Sequence, residues 1–163
     1  MTQAPDTLLD DLLTRVLAIA LDTPGIADGG KVYFELPHEP YPRVVVFYGP
    51  VTIDYISGSY DALVLTAQLT IRLLGGSLMT GVKGENEDRL NQTLFALINR
   101  FARAPYLQDP ATGAPFDYLS NTPPPRLVRL GGITGINYGN PAAPDVYLGT
   151  DCTLDVRLVA PRV

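Results

Sequence analysis

From Asp6 to Ala20 the apolar residues Leu9, Leu12, Leu13, Val16, Ile19 and Ala20 recur at intervals of three and four, which places them on one face of a helix. Asp6 or Thr7 can accept hydrogen bonds from the free N–H groups of the first turn, and Pro24-Gly25 ends the element. Asp10 and Asp11 suit the positive end of the helix dipole and read as solvated carboxylates. From Lys31 the period changes to two. "KVYFEL", "RVVVFYG" and "VTIDYIS" read as three short strands, divided by the stretch from Pro37 to Pro42 and by Gly49-Pro50.

A longer strand follows, in which Ala67, Leu69, Ile71 and Leu73 alternate with Gln68, Thr70, Arg72 and Leu74. Leu90, Leu94, Leu97, Ile98 and Phe101 then mark a second amphipathic helix, with Glu85, Glu87 and Asp88 near its start and Arg100 and Arg103 near its end. Near the C-terminus Cys152, Leu154, Val156 and Leu158 alternate with Thr153, Asp155, Arg157 and Val159, the same pattern as the strand at 67–74. Two strands so patterned can lie side by side in an antiparallel sheet, their apolar face under helices and Arg72, Asp155 and Arg157 on the opposite face. The fold class expected is therefore α+β, a mainly antiparallel sheet flanked by two helices. The polar face is expected to meet water or another subunit, and to tolerate a single charge change within about 0.5 kcal/mol.

Between these parts the chain holds six prolines from Pro105 to Pro125. An excursion of that kind, over about residues 104–125, is expected to be structureless; such long loops are often functional or ordered by a partner. At 163 residues the chain otherwise fits one domain spanning 1–163, and a chain of this size can bury roughly two thirds of its unfolded surface.

Charge narrows the function classes. With 12 Lys and Arg against 17 Asp and Glu, the net charge of −5 opposes the phosphate neutralisation on which nucleic-acid affinity depends. The longest apolar runs fall far short of the roughly 20 residues that a membrane helix needs. The single Cys152 cannot form an intrachain disulfide and the N-terminal residues carry no secretory pattern, so folding in a reducing cytoplasm is expected.

Candidate chemistry is sparse. His38 in "LPHEPYP" has no assignable nucleophile or metal co-ligand and reads as a loop residue. One histidine and one distant cysteine make no zinc site. "GENEDR" lacks the spacing and glycine of a calcium loop, and "LGGITGINYGN" has neither a dinucleotide fingerprint nor a phosphate-loop lysine; its glycines fit a bulged strand. Cys152 falls on the apolar face and reads as an inert thiol. No catalytic, cofactor or metal residues are assigned, and an enzyme is not expected. Nine tyrosines without any tryptophan, many in strand ends and loops, suit contact surfaces or the sheet edges of one monomer.

In element order, and in the segments "LLTRVLAIALDTPGI", "LTAQLTIRLL", "EDRLNQTLFALINRFA" and "CTLDVRLVAP", the chain resembles the tail-terminator and tail-completion proteins of tailed bacteriophages. The resemblance implies an α/β sandwich that forms a hexameric ring at the head-proximal end of the tail tube. Such a ring stops tube growth and joins the tail to the neck. Its partners are copies of itself, the tail-tube protein and neck or connector proteins, with DNA passing through unbound; it is assembled in the host cytoplasm and resides in the virion. On this reading Tyr41, Arg72, Tyr106, Phe116, Tyr118, Asp155 and Arg157 are the candidate subunit-interface residues. The other readings are a different head-tail joining or tail-tube protein, or a monomeric module that binds a peptide or small ligand through the tyrosine-rich loops.

Overall fold

The computed structural model describes residues 5–31, 42–55, 62–77, 83–116, 126–138 and 147–161. In chain order these form α1 (Pro5–Leu21), β1 (Asp28–Gly30), β2 (Arg43–Tyr55), β3 (Ala62–Ser77), α2 (Lys83–Ala102), β4 (Arg126–Tyr138) and β5 (Tyr147–Pro161). The strands make one sheet in the order β1-β2-β3-β5-β4, antiparallel except for the short parallel β1–β2 pair. The fold is α+β, with both helices packed on a mainly antiparallel sheet.

The helices form where periodicity places them. Leu12, Leu13, Val16, Ile19 and Ala20 of α1 are buried, and Leu97 and Phe101 of α2 join them over Val44, Val46, Leu69, Ile71, Leu154 and Val156. Leu90 and Leu94 pack farther along, on Leu73 and Cys152. Each fully buried Leu, Ile or Phe contributes about 1.5–3 kcal/mol, so this single layer of contacts holds the helices to one face of the sheet. α1 stops at a turn containing Gly25 at φ +93°, a left-handed conformation that costs glycine least. Where that turn begins, Asp22 accepts from Arg100 Nε at 3.0 Å and ties the end of α1 to α2.

Three departures from expectation have physical causes. The segment "RVVVFYG" and the described part of "VTIDYIS", to Tyr55, are one strand, β2, with a register shift between Tyr48 and Val51 where Gly49-Pro50 predicts an end to pairing. β1 pairs only with residues 43–45, so among the described residues Pro50 lies on a sheet edge, where its missing N–H removes no ladder bond. The first strand of the sheet is Asp28–Gly30, and the expected strand "KVYFEL" lies outside the described residues beyond Lys31. Gly29 is required there, because a Cβ would come within 2.6 Å of both the Val44 carbonyl oxygen and a Val44 methyl. The glycines of β4 do accompany bulges, with register shifts at Leu127/Arg129 and Gly131/Thr134.

The third departure is the proline-rich excursion, whose described part is folded. Residues 104–116 turn back on themselves through Gly113 N–H to Asp109 O (2.7 Å), Asp109 N–H to Ala114 O (2.8 Å) and Phe116 N–H to Tyr106 O (3.0 Å). Leu107 at its base is fully buried at φ +51°, a conformation a leucine keeps only where its surroundings fix it. Residues 117–125 of the excursion lie outside the described residues.

Candidate functional site

Strand register sorts the sheet into two faces. Leu65, Ala67, Leu69, Ile71 and Leu73 of β3 face the helices, and Thr66, Gln68, Thr70 and Arg72 fall on the other side, as the alternation predicts. Across β2 to β5 the charged residues are five arginines (Arg43, Arg72, Arg126, Arg129, Arg157) and three aspartates (Asp54, Asp151, Asp155). By register the five whose side chains are described belong to this second face: Arg43 opposes Leu74, Asp151 opposes Arg72, Asp155 opposes Gln68, and Arg157 opposes Thr66.

Arg72 is the centre of that face. Its Nε and Nη2 donate to the two Asp151 carboxylate oxygens, both at 2.8 Å, and its guanidinium carbon sits 5.1 Å from the centre of the Phe47 ring. Phe47 opposes Thr70, so it reaches Arg72 along the diagonal of the β2–β3 ladder. The paired side chains keep only about a fifth and a seventh of their exposure, 21% and 15%. This corrects the expectation of a freely substitutable surface arginine: a bidentate, stacked, half-buried pair is part of the sheet's framework. The second face is also partly closed within the chain, because Val45, Leu74, Val64 and Arg43 are buried there. Arg43 is held by Asp28 of β1.

The other candidates separate. Asp155 is half-buried and Arg157 is exposed on the second face with Arg72. Tyr106 is exposed at the start of the folded loop. Phe116 is a correction: it is buried in the main core beside Leu107, so its ring is not a free contact surface. Tyr41 and Tyr118 lie outside the described residues, as does His38.

Two local arrangements escaped the sequence reading. Arg15 of α1 donates to the carbonyls of Leu107 (2.8 Å) and Ala114 (3.0 Å), lies 3.8 Å from the Asp109 carboxylate and stacks 5.5 Å from the centre of Phe116. One side chain thus closes both ends of the 107–116 loop. The second is an open cleft lined by Asp10, Leu13, Lys31, Val46, Phe47 and Tyr48. There Lys31 donates to Asp10 (3.0 Å) and Thr14 (2.7 Å), so Asp10 is half of an exposed ion pair rather than a lone solvated carboxylate. Tyr48 in its wall, and Ile53 farther along β2, are large exposed groups.

Cys152 is buried on the helix side, and burial first, then the neighbouring Asp151 carboxylate, push its thiol above the ordinary range. It stays protonated and poorly nucleophilic at neutral pH. Among the described residues no group of three or more His, Cys, Asp or Glu could hold a metal ion, and no helix is long and apolar enough to cross a membrane.

No protein-family model matches the chain, and no curated protein matches it. The reading of function therefore rests on faces and charges.

Proposed function

We propose that the protein is a structural subunit of a bacteriophage tail that closes into a ring, hexameric by the family likeness, at the head-proximal end of the tail tube. There it ends tube growth and joins the tail to the neck. The observation that supports this best is the division of the sheet: both helices cover one face, and Arg43, Arg72, Asp151, Asp155 and Arg157 collect on the other. Such a subunit presents two unlike surfaces, which is what a head-to-tail ring contact requires. The element order α1, β2, β3, α2, β4, β5 is compatible with the same family, and the net charge of −5 would let DNA slide through a lumen without adhering.

Native mass spectrometry of the purified chain, with negative-stain images of the same sample, tests the proposal. A closed ring with a central hole, alone or on addition of tail-tube protein, supports it. A strict monomer under both conditions overturns it. A tail-tube or head-tail joining subunit would instead stack rings or bind the connector without ending tube growth. The cleft beside Lys31 and Tyr48 favours a second reading, a monomeric module for a small ligand or peptide; it would be supported by a monomer whose ligand binding is lost in Tyr48→Ala.

A further inference from the structure

The two helices lie side by side on the sheet. In the strand order β1-β2-β3-β5-β4, α1 packs over β1 and β2, and α2 over β3, β5 and β4. The flank of α2 that meets α1 is marked by Thr93, whose Oγ1 would stand 3.3 Å from a Cβ at Gly25, and by Arg100, which holds Asp22. Phe95 is roughly 200° round the helix axis from Thr93, so it points away from α1, toward the β4 end of the sheet. At 62% it is the most exposed large apolar side chain among the described residues. The four residues that neighbour it on the helix surface, Asn91, Gln92, Ile98 and Asn99, carry no charge.

At the other end of the same layer is the open cleft lined by Asp10, Leu13, Lys31, Val46, Phe47 and Tyr48. Its two charged groups, Asp10 and Lys31, are joined to each other at 3.0 Å, so the cleft suits an uncharged occupant. Tyr48 opposes Leu69 and Ile53 opposes Leu65; both therefore belong to the helix side of β2, and both are exposed. The cleft volume is about 330 Å³, at the bottom of the range of roughly 300–1,000 Å³ for small-molecule pockets. That size favours a single inserted side chain over a peptide or a larger ligand.

We infer that Phe95 of one copy of this chain seats in the cleft of the next copy, between Leu13 of α1 and Tyr48 of β2. Knob and cleft are unlike surfaces at opposite ends of one subunit, so the contact is heterologous and each copy engages two neighbours. Repeated with rotation, it closes a ring. A buried aromatic anchor with uncharged amides and a neutralised ion pair at its rim has the make-up of an interface centre. The inference rests on the ring reading above and names the surfaces that make the ring.

Phe95→Glu and Tyr48→Glu each change an exposed side chain and test the contact from its two sides. Circular dichroism and thermal melting check that each variant is folded, and Phe95→Gln or Tyr48→Gln replaces one that is not. Native mass spectrometry and sedimentation, with and without tail-tube protein, then read assembly, which each variant is expected to weaken on the order of a hundredfold. Phe95→Glu keeps a sound cleft and Tyr48→Glu keeps a sound knob. Their equimolar mixture therefore has one working contact, and it is expected to stop at pairs with one copy of each. Wild-type rings with either variant unaffected, or a mixture that yields no such pairs, overturn the docking surfaces while leaving the ring intact. A wild-type chain that remains monomeric under both conditions overturns both.

Discussion

Arg72 and Asp151 lie 79 residues apart in sequence and directly opposite one another on β3 and β5, joined by two hydrogen bonds of 2.8 Å. They couple the second half of the chain to the first at the centre of the sheet. Phe47 of β2 lies against the same guanidinium, so three adjacent strands meet at one side chain. The sheet's polar face is thus a fixed surface on which exposed charges such as Arg157 have defined positions.

Breaking that pair is expected to destabilise the fold more than an ordinary surface substitution. Arg72→Met leaves Asp151 without its principal partner in a half-buried site, a loss of about 1–3 kcal/mol. Arg72→Glu, which sets two carboxylates together, costs more. Urea denaturation of the single variants and of Arg72→Met/Asp151→Asn gives the coupling, and additive effects would show that the pair is not energetically joined.

A second expectation concerns the loop at 104–116. Arg15→Ala removes the donors to Leu107 and Ala114 and the stacking on Phe116, with an expected cost of about 1–2 kcal/mol. Hydrogen exchange in this loop should rise well before exchange in α1 or the central strands. Arg15→Lys is expected to recover little, since an ammonium lacks the planar fork that reaches two carbonyls while lying flat on an aromatic ring. Unchanged protection in Arg15→Ala would mean that the loop is held by its own turns and by Leu107.

What could be read from the chain, and what could not, follows the range of each interaction. The buried faces of α1 and α2 and the alternation of β3 and β5 are repeats over neighbouring residues, so Leu12, Val16, Leu97 and Phe101 declare themselves. The partner of Arg72 depends on a register between distant strands, and although Asp151 stands on the polar side of the same alternation as Asp155, nothing local aligns it with Arg72. Gly49-Pro50 looks like a turn because a turn and an edge bulge draw on the same residues. Arg15 lies beside the helix's apolar stripe, and its targets are 92 and 99 residues away. Phe116 reads as an interface residue because an aromatic in a proline-rich segment does not reveal that the chain's own core, beside Leu107 and Arg15 of α1, takes it in.

Two glycines on the sheet make a paired prediction. Gly29→Ala drives a methyl to 2.6 Å from the Val44 carbonyl oxygen, a backbone atom that cannot turn aside, whereas Gly75→Ala meets only the side-chain tip of Leu90 at 2.9 Å. Gly29→Ala is expected to cost about 1–3 kcal/mol, and Gly75→Ala less because Leu90 can change rotamer. For a chain of this size about 2 kcal/mol lowers Tm by roughly 4–8 °C, and thermal melting should separate the two variants. Equal losses would place the constraint elsewhere than in β1's approach to β2.

Cys152 provides a prediction about pH. Its thiol is raised in the folded protein by burial and secondarily by the Asp151 carboxylate, while in the unfolded chain it ionises near the free value of about 8.5. The folded state therefore holds the proton more tightly. Its contribution to stability is complete below the unfolded value and is lost as pH rises through that value toward the higher folded one. The wild type should accordingly lose more stability between neutral and alkaline pH than Cys152→Ala, although the variant starts lower because it leaves a gap against Leu73, Leu90 and Leu94. Thiol labelling supplies an independent reading: modification should be slow at neutral pH and should accelerate with denaturant in step with unfolding. Fast labelling of the folded chain, or parallel stability profiles for wild type and variant, would show that Cys152 is not held protonated beneath α2.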